Sequence, residues 1–327
     1  MKENEGLLLV QLGSPAELSE ESSAEYLYEF LGDWHTLGKK LFFWKFLLKH
    51  MILPKGKITS FKKYQKMFAA NGFTEMPLVT HSNQFLQAVK KLLPGSSIKL
   101  AYQYGCKPSI ADALHEFEAE GIDTVNVLPL YPQRAGVTTQ AANDKAIETA
   151  AKINFKGRLR TTEGFCYNAA WVREVANSIK TYLSADDTLI ISWHGLQTWR
   201  VEKGGDPYRD DCEASTKAIG EALGVTPTIA YQSKYGKGKW LGPSLFETVQ
   251  KFGAAHKPIV IANPIFTADN LETIFEIDDE VAAVYKAAGG TSLKRVPCLN
   301  ANETWVKAFV EEILPTLEFK QETKDDR

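Results

Sequence analysis

The 327-residue chain carries 38 Lys and Arg against 40 Asp and Glu, a formal net charge of −2, with 44% apolar residues. Such a length suits one large or two smaller globular domains, and the balanced charge excludes the electrostatic footprint of a nucleic-acid-binding protein. The four cysteines, Cys106, Cys166, Cys212 and Cys298, form no CxxC pair, which excludes a locally encoded zinc knuckle and reads as the reduced thiols of a cytoplasmic protein.

Residues 7–12 predict a strand that Gly13-Ser14-Pro15 stops, and residues 22–31 a helix. The apolar run at 7–10 is too short for a signal peptide. Residues 39–66 then set Leu41, Phe42, Phe43, Trp44, Phe46, Leu47 and Leu48 among nine lysines with no acid. Leu41, Trp44, Leu48 and Met51 follow three-or-four spacing and predict a helix with one greasy face. Two readings stay open: an ordinary amphipathic helix packed on the core, or a lip that makes peripheral contact with a membrane and greets an acidic, apolar ligand. The window 41–53, broken by Lys45, Lys49 and His50, is too short to span a bilayer.

Further along, helices are predicted at 83–93, from Pro108 to Gly121, and at 138–153, 169–183, 209–223, 244–252, 271–288 and 303–314. Strands are predicted at 98–104, 123–130, 158–162, 188–193, 228–231, 258–262 and 293–296. The charged tail from Glu318 is predicted to fray. Eight strands alternating with helices define an α/β chain of two doubly wound, Rossmann-like parallel-sheet domains, 1–160 and 161–300, joined near 155–170. The last helix, within 301–327, is predicted to pack back on the first domain.

Three strand ends could carry chemistry, because ligands of open α/β sheets bind at the carboxyl edge. The apolar run 189–191 delivers His194, then Gly195, into a polar loop. Alone, that histidine either ties down the loop or meets a ligand. Residues 128–133, LPLYPQ, make a rigid, proline-bounded exit. Residues 266–280 place Glu272, Glu276 and Glu280 at four-residue steps, one carboxylate row on a helix suited to cations. The alternative is structural: Asp269 as N-cap with Glu272 at N3, and the other acids solvated. No GxGxxG follows a strand and no GxxxxGK[ST] occurs, which argues against a nucleotide enzyme.

In order along the chain, LLVQLGSP at 8–15, VLPLYPQ at 127–133 with Thr138-Thr139, SWHGL at 192–196 with GDPY at 205–208, YQSK at 231–234 with WLGP at 240–243, the 266–278 segment and RVPCLN at 295–300 resemble the signatures of the ferrochelatase family. That family inserts ferrous iron into a porphyrin at the end of haem synthesis. The resemblance implies two Rossmann-like domains with a porphyrin cleft between them, and protoporphyrin IX or coproporphyrin III with ferrous iron as partners. It implies that His194 and Glu272 face each other across the metal-insertion site, from opposite sides of the flat ring, with Glu276 and Glu280 continuing an acidic path. Tyr64, Ser233 and Trp240 fall where relatives line the macrocycle pocket, and Leu12, Lys57 and Tyr131 join them as porphyrin-binding candidates. In this reading a neutral imidazole, of ordinary pKa roughly 6.5, takes a pyrrole proton while carboxylates replace water on the ion.

The sequence also departs from the family. Asn270 stands where a histidine is frequent, Gln103 where an arginine precedes the tyrosine of RYGNP, and Glu75-Met76-Pro77-Leu78 replaces GSPL. Some relatives hold a [2Fe–2S] cluster; Gly136 stands at its first cysteine position and the tail lacks cysteine, so no such cluster and no other bound cofactor is expected. These departures leave two alternatives, a catalytically impaired porphyrin- or haem-binding protein and a cobalt chelatase. A monomer or homodimer, cytoplasmic or peripherally membrane-associated, is expected.

Overall fold

The computed structural model describes residues 4–38, 42–234 and 238–321; Leu41, placed by its spacing on the greasy face, and residues 322–327 of the tail lie outside them. The chain divides into two compact units: Met1–Tyr131, Ala135–Gly164 and Leu314–Arg327 form one, and Pro132–Arg134 with Phe165–Ile313 the other.

In the first unit, β1 (Glu5–Ser14), β2 (Ser97–Gly105), β3 (Thr124–Pro129) and β4 (Arg158–Thr161) lie parallel in the order β2-β1-β3-β4. The run Leu7–Val10 is apolar throughout because β1 is central and buried on both faces. Its side chains meet Ala101, Leu114, Phe117, Val125 and Val127 in the core. In the second unit, β5 (Thr188–His194), β6 (Thr228–Gln232), β7 (Ile259–Ala262) and β8 (Leu293–Val296) are parallel in the order β6-β5-β7-β8. Ile190, Ala230, Val249, Ile261, Ile277 and Tyr285 fill its core. All eight strands expected from the sequence are present.

A ninth was not expected. β9 (Lys320–Gln321) pairs antiparallel with β4, inside the tail predicted to fray. The last helix, Glu303–Ala308 continuing through Phe309–Ile313, belongs to the second unit. There Thr304 donates to Glu174 (2.6 Å), and the Trp305 ring stacks near Phe165. Only the chain from Leu314 returns to the first unit.

The basic, aromatic block is helical from Trp44 to Asn71, with a π-type stretch at Leu48–Ile52. Its packing face differs from the predicted one. Leu48 and Leu53 are buried with Leu31, and the Trp44 indole donates to Leu31 O (2.6 Å), but Met51 is 72% exposed. The π-type turn shifts the face on which Met51 emerges, because i→i+5 bonding breaks the three-or-four period. Phe42, Phe43 and Phe46 are also exposed. Among the described residues no helix is long and apolar enough to cross a membrane.

Candidate active site

The parallel register of β5 and β6 sets His194 beside Gln232, the last residue of each strand. Gly195 follows, its N–H donating to Gln232 O (2.7 Å). A Cβ at Gly195 would stand 2.6 Å from that oxygen and 3.4 Å from the Trp240 ring, so only glycine lets the chain turn between them. His194 Nδ1 lies 2.8 Å from Gly195 O, and a carbonyl only accepts, so Nδ1 carries a proton and Nε2 is directed elsewhere. Nε2 is 3.5 Å from Glu272 Oε2. The Tyr208 hydroxyl donates to His194 O (2.8 Å), tying the GDPY segment to the strand end.

Glu272 and Glu276 are carried by one continuous helix over Leu271–Phe275, the π-type stretch Glu276–Val281 and Ala282–Ala287. Its N-cap is Asn270, not Asp269. Asn270 Oδ1 accepts from the N–H groups of Glu272 (2.8 Å) and Thr273 (3.3 Å), and Thr273 completes a capping box. The residue that departs from the family thus starts the helix, and Glu272 at N2 keeps its carboxylate out of the cap. Asp269 is buried and accepts from Thr273 Oγ1 (2.8 Å), Arg295 (3.1 Å) and Asn300 (2.8 Å).

Glu276, 8% exposed, is held by Ser233 N–H (2.9 Å), by the Ser233 hydroxyl, and by Gln232 Nε2 (3.3 Å). Burial and the neighbouring Glu272 raise its pKa above the ordinary carboxylate range, against the lowering effect of Ser233 and His194. For His194, burial acts downward, but the Glu272 and Glu276 charges and the Gly195 carbonyl outweigh it and push the pKa up to about 9. That direction favours an imidazolium paired with Glu272 over the neutral imidazole that an ordinary value implies. The pair is an ion contact rather than a tight hydrogen bond, and Glu272 Oε2 is buried without a hydrogen-bond partner. A carboxylate oxygen short of a donor, beside the buried Glu276 carboxylate, offers oxygen ligands of the kind divalent cations take, although among the described residues no three His, Cys, Asp or Glu side chains are grouped closely enough to hold a metal ion.

His194, Glu272, Glu276 and Ser233 are thus brought together within the second unit. They do not flank a ring from opposite sides. A flat macrocycle between two groups needs about 7 Å, twice the ordinary carbon contact of about 3.5 Å, whereas His194 and Glu272 are 3.5 Å apart. Glu280 lies further along the same π-type stretch, half-buried; i→i+5 bonding there departs from the four-residue row that the sequence suggests. Trp240 bridges Gln197 beside Gly195. In the first unit, Tyr131 is 1% exposed and donates to Gln103 (3.0 Å), so it is a core residue with no face for a ligand. Tyr64 is also buried. Lys57 is paired with Glu20 (3.2 Å), and Leu12 packs against the core. Sequence reading passed over Gln232 and Tyr208 as positioning groups. Both stand in quoted motifs, but the register that sets Gln232 opposite His194 is visible only in the fold.

Solved chelatases share this architecture. SirB from Bacillus subtilis with Fe3+ matches at TM-score 0.57 and 13% identity over 94% of both chains. The sirohydrochlorin chelatase SirB from Bacillus subtilis subspecies spizizenii in complex with cobalt matches at 0.52 and 12%, over 94% of this chain and 93% of that one. DR2241 from Deinococcus radiodurans, a multi-domain protein with structural similarity to chelatases, matches at 0.51 and 10% over 97% of this chain and 57% of its own. At these identities the likeness defines the fold as that of the chelatases. The ferrochelatase family profile matches residues 4–316, nearly the whole chain. The chain belongs to the ferrochelatase family and is a metal chelatase.

Proposed function

We propose that the protein inserts ferrous iron into a porphyrin, protoporphyrin IX or coproporphyrin III, to form haem. The observation that carries this reading is the convergence of His194 Nε2 and the carboxylates of Glu272 and Glu276 at the carboxyl edge of the second sheet. Metallation must bring a hydrated cation to four ring nitrogens and remove two pyrrole protons. Glu272 and Glu276 offer oxygen ligands that replace part of the hydration shell. Once the cation takes up their charge, the interaction that keeps His194 protonated weakens, and Nε2 becomes able to accept a ring proton. The fixed Nδ1–H···Gly195 contact keeps Nε2 aimed at that task. Trp240, packed over Gly195, is suited to stack on the macrocycle and hold it buckled.

Phe42, Phe43, Phe46 and Met51, exposed among lysines, support a lip that meets the apolar macrocycle or a membrane surface in a cytoplasmic setting. With Gly136 at the cysteine position, we assign no resident [2Fe–2S] cluster. A second reading is cobalt insertion into a more reduced tetrapyrrole, favoured by the architecture shared with a cobalt-complexed sirohydrochlorin chelatase and by ligands that also suit Co2+. Anaerobic incubation with ferrous iron or Co2+ and each tetrapyrrole, followed by absorbance, separates the two. Haem formation is expected, falling about 100-fold or more in His194→Ala, in line with loss of a positioned acid–base group, while porphyrin binding persists. Porphyrin binding without metallation by the wild type would overturn the enzyme reading.

A further inference from the structure

Ser233 has a backbone φ of +58°, a left-handed conformation that residues with a Cβ seldom adopt. The conformation aims both of its donors at one carboxylate: the N–H meets Glu276 Oε1 at 2.9 Å and the hydroxyl meets Oε2. Gln232 adds a third donor. Its Oε1 accepts from Ser192 Oγ (2.8 Å) and from Asn263, so its amide can turn only Nε2 toward the helix. That nitrogen donates to Glu276 Oε2 (3.3 Å) and to Glu272 O (3.1 Å). Ser192 on β5 and Asn263 beyond β7 thus brace Gln232, which together with Ser233 at the end of β6 holds Glu276. All three donors are neutral. A lysine or arginine here would cancel the carboxylate's charge, whereas amide and hydroxyl donors hold it in place and leave the charge available to a cation. Glu272 Oε2, by contrast, has no hydrogen-bond partner. One carboxylate is anchored and its neighbour is left adjustable.

We infer that Ser233, with Gln232 behind it, is a positioning residue for the metal: it fixes Glu276 as the rigid end of the cation's landing site, a role distinct from lining the macrocycle pocket. The inference rests on the reading that Glu272 and Glu276 receive the metal. Partners that orient a ligating group typically change metal affinity or activity by about 10–100-fold when removed.

The test pairs a titration of the porphyrin-free protein with cobalt(II) chloride, followed by calorimetry, with steady-state metallation kinetics. Ser233→Ala and Ser233→Gly are expected to weaken cobalt binding by about 10-fold or more and to raise KM for the metal in step, with KM for porphyrin unchanged. Ser233→Gly separates positioning from packing, because glycine relieves the left-handed backbone and should keep or raise the melting temperature while affinity falls. In a Glu276→Gln background, Ser233→Ala should add no further loss. A rise in KM for porphyrin with unchanged cobalt affinity overturns the inference. So does an equal Ser233→Ala effect with and without Glu276, or no cobalt binding by the wild type. Failure of the wild type to metallate any porphyrin would sink the functional reading alone, since the cobalt titration still decides the role of Ser233.

Discussion

At the scale of single residues, the site depends on what surrounds each group as much as on the group. His194 is set by three contacts: Gly195 O on Nδ1, Glu272 near Nε2, and Tyr208 on its carbonyl. Gly195 allows the first two to coexist, so Gly195→Ala should drive Cβ into Gln232 O and displace the histidine. We expect a loss of about 1–3 kcal/mol in stability, of the size that overpacking costs, and turnover reduced at least 10-fold; urea denaturation and the metallation assay read the two. The sequence made His194 and Glu272 legible because each stands just past a buried run in a motif of fixed order. The raised pKa of His194 was not legible, because the charge that raises it comes from a helix 78 positions later, brought there only by the fold. Tyr131 was misread for a related reason. The family resemblance made it a porphyrin-binding candidate, but Gln103 on β2, across β1 from the end of β3, accepts from its hydroxyl in the core.

At the scale of elements, the helix Leu271–Phe275 and its continuation are held at their start by two layers. Asn270 satisfies the free N–H groups, and Asp269 ties the preceding turn to Arg295 and Asn300. Asn270→Ala should cost about 1 kcal/mol, the usual worth of an N-cap, whereas Asn270→Asp should be near neutral; chemical denaturation checks both. The strands were readable because parallel strands buried on both faces are near-continuous apolar runs. The elements that escaped reading lack such a run. β9 is two polar residues, visible only through its partner β4, and the helix Thr198–Glu202 is too short to show periodicity. The buried face of the Trp44–Asn71 helix was misassigned at Met51 because a π-type turn breaks the period on which the reading rests.

At the scale of the whole molecule, stability should carry a pH signature from a cluster remote in sequence from the catalytic residues. In the first unit, buried His35 is clamped between Asp33 (2.8 Å) and Asp144 (2.8 Å), and Tyr104 donates to Asp33 (2.8 Å). Burial works against the imidazolium, but the two carboxylates prevail and push its pKa up to about 9. The folded value exceeds the ordinary 6.5, so the contribution is fully present below about pH 6.5 and is lost as pH rises to about 9. Thermal unfolding from pH 6 to 9.5 should show a decline on the order of 2 kcal/mol from this cluster, missing in His35→Gln, which keeps only the decline that His194 contributes over the same range. The division into two parallel α/β units was legible from alternation alone. A return of the C-terminal segment to the first unit was expected, but not that it begins only at Leu314, after the last helix, because nothing in the composition marks that point.

That return has a consequence for how the protein comes into being. β4 ends at Thr161, and the strand that covers its outer edge begins at Lys320, after every residue of the second unit. At ribosomal rates of about 5–20 residues per second, the flank of the first sheet waits roughly 10–30 s for its cover. Throughout that interval β4 is an open template for pairing with a neighbouring nascent chain. Arg158 and Arg160 put positive charge on that strand, the kind of residue that disfavours pairing at an open edge.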